Sequence, residues 1–85
     1  MHYVYLLQSQ FNLSHRYVGL TSDPKARLAK HNEGGVPHTS KFRPWEIRTY
    51  VAFSSRKQAA EFERYLKSGS GRAFANRRLW PPLRP

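Results

Sequence analysis

Phenols, a guanidinium and an imidazole gather near the start of this chain. Tyr3, Tyr5 and Tyr17 supply the phenols, and Arg27 and His31 follow inside "YVGLTSDPKARLAKHN" at residues 17–32. A phenol beside cations can act as a general base, because positive charge lowers its pKa. Arg27 and His31 are four apart, so on a helix they share a face one turn apart. Such a pair can face a phosphate, the arginine neutralising charge and the histidine donating a hydrogen bond or moving a proton. Taken alone, the two read as solvated residues of an amphipathic helix. Tyr3 reads as a packing residue with a wet hydroxyl. Tyr5 and Tyr17 have a second reading, because neighbouring antiparallel strands bring two hydroxyls to one end of a sheet.

A carboxylate is the other half of such chemistry. Glu61 and Glu63 both fall in the predicted helix that follows "WEIRTYVAFSS". At about 100° per residue, Ala59, Phe62 and Leu66 form one apolar stripe; Glu63 lies roughly 65° from its centre and Glu61 roughly 135°. Glu61 is therefore expected in solvent and Glu63 at the rim of the packed face. There Glu63 can ligate a metal, or pair with Lys67 as an ordinary i, i+4 helix contact. So few carboxylates exclude a cage for several metals. One hard cation held by a carboxylate, waters and phosphate oxygens fits, and Mg²⁺ binds that way. His2, His15, His31 and His38 lack zinc-ligand spacing.

The composition agrees with an anionic partner. Fifteen Lys and Arg face five Asp and Glu in 85 residues, for a net charge of +10, and ten of the fifteen are Arg. Counterion release makes nucleic acid the first candidate partner, and Arg favours planar contact with phosphate. An acidic membrane surface or acidic protein also fits the charge. Cys is absent, so neither disulfides nor thiolate metal sites contribute. No run approaches the length of a membrane span, and the start lacks the pattern of a signal peptide. A soluble, cytoplasmic, monomeric protein is the expectation.

These residues need elements to hold them. Residues 2–7 and 16–20 read as two antiparallel strands joined by a hairpin-sized loop. Gly19 suggests a bend or a close backbone approach. "SDPKARLAKHN" reads as a helix with Asp23 as N-cap, Pro24 in the first turn and the Asn32–Gly35 region as the stop. Residues 45–53 read as a third strand with Trp45, Ile47, Thr49, Val51 and Phe53 on one face. Ser54 or Ser55 caps a second helix running to about Lys67. "SGSG" reads as a break before a short last helix, "RAFANRRLW"; with Arg72 it could instead form an anion-binding loop. The prediction is an α+β fold of order β-β-α-β-α-α, with a small, mostly antiparallel three-stranded sheet. Residues 1–80 form one domain and 81–85 a Pro-rich tail.

The ordered set resembles the GIY-YIG nucleases. "VY" at 4–5, eleven residues, then "YVG" at 17–19 is similar to that family's paired motif. Arg27 and His31 fall where the family carries an arginine and often a histidine, and Glu63 where it carries a single metal-binding glutamate. Thr21, "RLAKHNEGG", Thr39 and "EFERYLKSGSGRAF" extend the likeness to the small, stand-alone members. Tyr3 stands in place of the first motif's glycine, and valines at 4 and 18 replace isoleucines. Asn76 is the nearest match to an asparagine that larger members carry after the glutamate helix.

The resemblance implies a phosphodiester hydrolase. Tyr5 or Tyr17 would take a proton from the attacking water, with Tyr5 the expected base and His31 a helper. Arg27 would stabilise phosphorane-like charge, and Glu63 would hold one Mg²⁺ or Mn²⁺ ion. Gly19 would let backbone and substrate approach closely. Lys67, Arg72 and Asn76 would bind substrate, within a basic C-terminal third that also carries Arg77 and Arg78. Trp80 or Phe74 could stack on a base; Phe74 is expected in the core, and Trp80 has both readings. The expected substrate is DNA, single-stranded or branched. A non-catalytic basic nucleic-acid-binding module with the same fold is the alternative.

Overall fold

The structure is a computed structural model that describes residues 1–81; most of the predicted Pro-rich tail, residues 82–85, lies outside the described residues. The elements are β1 (His2–Ser9), β2 (Arg16–Thr21), α1 (Pro24–Asn32), a single 3-10 turn (Ser40–Phe42), β3 (Trp45–Phe53), α2 (Arg56–Leu66) and α3 (Gly69–Arg78). The order is the β-β-α-β-α-α of the sequence. The three strands form one sheet in the order β2-β1-β3, and both pairings are antiparallel.

The near-continuous run of β-formers in β1 has a direct consequence. It is the central strand, buried at every position from Val4 to Ser9, because helices cover both faces of the sheet. Val4 and Leu6 face α2 and α3, where Ala59, Leu66 and Ala75 complete one core. Tyr5 and Leu7 face the α1 side, where they pack with Trp45 and are flanked by Tyr17, Leu28, Phe42 and Ile47.

β3 departs from expectation in one respect. Its burial alternates as predicted, yet its inward residues do not share one face. Leu6 pairs with Thr49 and Leu7 with Ile47, so Arg48 is an extra residue in the ladder. A bulge of this kind reverses which face the following residues meet. Trp45 and Ile47 therefore join the α1-side core, while Thr49, Val51 and Phe53 turn toward α2 and α3.

Each helix starts on a side-chain cap. Asp23 Oδ1 accepts from Ala26 N at 3.1 Å, Ser55 Oγ from Gln58 N at 3.2 Å, and Ser68 Oγ from Gly71 N at 3.2 Å. Each cap contributes about 0.5–2 kcal/mol. The "SGSG" segment is thus the capped first turn of α3 and not a break ahead of it. Gly71 explains how α3 turns so closely onto α2: a Cβ there would lie 1.7 Å from the Tyr65 carbonyl oxygen. Phe74, expected in the core, is 38% exposed, whereas Trp80 packs against the α2/α3-side core.

Candidate active site

The site wraps around β2, an edge strand of the sheet. Tyr17 and Gly19 lie on it, paired with Leu7 and Tyr5 of the central strand. Arg27 and His31 approach from α1 on one face, and α2 brings Glu63 past the other. Tyr5 Oη lies 2.9 Å from His31 Nε2, and both residues are wholly buried. His31 Nδ1 lies 2.8 Å from Thr39 Oγ1. The Thr39 hydroxyl donates to Val36 O at 3.2 Å, so it accepts from Nδ1–H. This assigns the tautomer: Nδ1 carries the proton, and Nε2 accepts from the Tyr5 hydroxyl.

Further contacts hold this chain of hydrogen bonds in place. Trp45 Nε1 donates to Thr39 O at 2.8 Å. Asn32 bridges the backbone of Trp45, accepting from its N at 2.6 Å and donating to its O at 3.1 Å. The end of α1 is thereby tied to the start of β3, and His31 cannot turn without breaking a buried network. The Tyr17 ring packs edge-on against His31, with centroids 4.9 Å apart, and lies 6.2 Å from the Tyr5 ring.

The two tyrosines differ in access to water. Tyr5 is shut in, and burial pushes its phenol up to about 12, with the neighbouring Tyr17 adding to the effect; the Arg27 guanidinium opposes it, and the Glu63 carboxylate adds a smaller upward push. Burial also lowers His31, and Arg27 lowers it further. Tyr17 is only half-buried and lines an open groove. Gly19 has a packing role within the protein itself. A Cβ there would stand 2.4 Å from Tyr5 Oη, so the glycine makes room for the buried phenol.

The groove beside Tyr17 has a volume of about 500 Å³ and is lined by Arg16, Lys67, Arg72, Asn76 and Trp80 among others. It unites three of the four substrate-binding candidates, Lys67, Arg72 and Asn76, while Gly19 is not part of its lining. Sequence reasoning missed Arg16. Its guanidinium donates to Asn76 Oδ1 at 3.0 Å and lies 4.7 Å over the Trp80 ring. Strand alternation was the available signal, since the neighbour of an edge-strand tyrosine must point to the opposite face, here toward α3.

Glu63 makes the expected ion pair with Lys67, and its side chain is 19% exposed. Glu61 is exposed. No group of three or more His, Cys, Asp or Glu among the described residues could hold a metal. One rim carboxylate suits a hard cation that keeps most of its waters and completes its shell with phosphate oxygens. Glu63 fits such an ion once Lys67 moves away.

The GIY-YIG catalytic domain family matches residues 1–77, and the chain belongs to that family. A structure-specific endonuclease subunit slx1 of Talaromyces marneffei is 43% identical over 65 residues, covering 69% of this chain and 17% of that protein. The structure-specific endonuclease subunit SLX1 of Scheffersomyces stipitis is 43% identical over 67 residues, covering 71% and 20%. Among solved structures, the UPF0213 protein BH0048 of Bacillus halodurans is similar, with a TM-score of 0.57 and 28% identity, covering 95% of this chain and 87% of that one. The chain spans a fifth or less of the length of these two curated relatives. No helix among the described residues is long and apolar enough to cross a membrane.

Proposed function

We propose that this chain is a divalent-metal-dependent endonuclease that hydrolyses phosphodiester bonds in branched DNA. The observations that carry the reading are the buried Tyr5–His31 pair packed against Tyr17, with Arg27 and Glu63 near enough to act on the Tyr5 phenol, in a domain of the GIY-YIG family. The names of the relatives, structure-specific endonuclease subunits, support a branched substrate. The word "subunit" in those names gives the expected monomer no support.

In this reading Tyr17 is the phenol that meets the attacking water. It acts as its phenolate, having released its own proton to the water of the groove, and takes a proton from the attacking water as that oxygen bonds to phosphorus; the bond to the departing sugar oxygen breaks, and that oxygen takes a proton from solvent. Tyr5, the base expected from the sequence, is a positioning residue instead. Its hydroxyl is out of reach of water and spends its proton on His31, which in turn buttresses the Tyr17 ring. Arg27, which acts electrostatically on both Tyr5 and His31, would stabilise negative charge on the phosphorane-like transition state. Arg16, Lys67, Arg72 and Asn76 seat neighbouring phosphates. Mg²⁺ or Mn²⁺ held by Glu63 supplies Lewis-acid stabilisation to the phosphate and leaving oxygen when bound.

The Lys67–Glu63 ion pair favours a second reading, a binding module whose carboxylate is permanently neutralised. Cleavage of labelled single-stranded, duplex and branched DNA separates the two. The enzyme reading expects cutting of branched DNA with Mg²⁺ or Mn²⁺, none with chelator, and none by folded Glu63→Ala. Binding of all substrates without cutting by wild type would leave only the module.

A further inference from the structure

The loop between β1 and β2 presents two apolar side chains to solvent: Phe11 is 71% exposed and Leu13 49%. The loop is not loose. Ser9 Oγ donates to Phe42 O at 2.6 Å and accepts from Phe11 N and Asn12 N at 3.1 and 2.9 Å. Gln8 Nε2 donates to Leu13 O at 2.9 Å, and Gln10 N to Pro44 O at 2.8 Å. Asn12 Oδ1 accepts from Ser14 N at 3.1 Å. His15 stacks on Phe42 with ring centroids 3.6 Å apart. Fixed hydrogen bonding therefore aims Phe11 and Leu13 outward.

The surroundings of the tip indicate what it meets. Exposed Lys41 and Arg43 flank Phe42, and Arg16 opens β2 beside the groove. The carboxylate tied to the loop, Glu46, accepts from Gln10 and is already paired with Arg48. An apolar tip on a chain of net charge +10, followed at the start of β2 by Arg16, which lines the groove, matches nucleic acid better than a protein surface. Apolar side chains on such elements enter base steps and unstack them.

We propose that Phe11 and Leu13 form a wedge that enters the base stack at the branch point of the DNA substrate. The wedge also sets the distance from the branch to the cut phosphate. This rests on the nuclease reading above. Tyr17 pairs with Leu7, and Phe11 lies four residues further along the chain. At the rise of a strand that spans at most about 13 Å, an upper limit of about four nucleotides.

The test uses branched DNA with 2-aminopurine at the branch, bound in chelator by wild type and by Phe11→Ser/Leu13→Ser. Both residues are exposed, so the variant should fold, which circular dichroism verifies. The wedge predicts a fluorescence rise with wild type and little with the variant. It also predicts about tenfold weaker binding of the variant to branched DNA, with linear duplex unaffected. In Mg²⁺, wild type should cut at one fixed position no more than about four nucleotides from the branch, and the variant should lose that fixed position. Equal fluorescence from both proteins, or none from wild type, would overturn the wedge and leave the tip to a protein partner. A wild type that unstacks the branch but never cuts would sink the nuclease reading while keeping the wedge as a binding device.

Discussion

Ionising Tyr5 means creating a charge where no water reaches, so its phenol is pushed up from 10 to about 12. That shift has a measurable sign. Between those values the unfolded chain has released the proton and the native protein has kept it, so stability is intact below pH 10 and falls as pH rises toward 12. The total loss is about 2–3 kcal/mol. Denaturant titrations at rising alkaline pH should show this decline in wild type and a shallower one in Tyr5→Phe. His31 acts at the other end. It is held neutral below its ordinary 6.5, so stability should fall as pH drops beneath that value, and less steeply in a folded His31→Gln protein. Gly19→Ala tests the same packing by volume. The added methyl meets the Tyr5 ring and hydroxyl, and should cost about 1–3 kcal/mol in denaturant. The candidate residues Tyr5, Tyr17, Arg27, His31 and Glu63 were visible in the sequence by type, but spacing alone read Arg27 and His31 as solvated and Glu63 as the partner of Lys67, and their roles came from the family resemblance. The division between the tyrosines was not. It depends on which strand is central and on a histidine 26 residues away, and neither fact is local.

Elements show the same boundary between local and long-range information. The helix starts at Asp23, Ser55 and Ser68 are caps, and caps are local chemistry. Ser55 and Asp23 were readable for that reason, and Ser68 was obscured by the glycines that follow it. The Arg48 bulge was invisible because burial still alternates along β3; only the partner register reveals the switch of faces. Phe74, expected in the core, lies outside against Phe62 and Tyr65 where α3 packs close to α2 through Gly71, and Trp80, for which the sequence left both readings open, packs against the core. That contact is testable. Gly71→Ala places a methyl against backbone, which cannot step aside, and should cost about 3 kcal/mol or more. It should also weaken DNA binding, because Arg72 and Asn76 ride on the displaced helix.

For the molecule as a whole, the proposed nuclease function together with a net charge of +10 on 85 residues predicts an affinity for DNA that depends strongly on salt. Each phosphate contact adds about 0.9 to the slope of log K against log salt concentration. Arg72→Ala should therefore lower that slope by about 1, measured by fluorescence anisotropy, and weaken all sequences alike. In that reading, charge steers the protein to a polyanion, while the fold decides where along it cutting occurs. The account's central claim is that cutting takes place at the β2 edge, with Tyr17 against the substrate and Tyr5 behind it. The most direct measurement is the single-turnover rate on saturating branched DNA for wild type, Tyr17→Phe and Tyr5→Phe, with binding and folding verified for each. The account predicts that Tyr17→Phe binds normally and loses about 10²–10⁴ in rate, while Tyr5→Phe retains substantially more activity. A Tyr17→Phe protein that cuts at the wild-type rate, or a Tyr5→Phe protein that is the more damaged of the two, would contradict it.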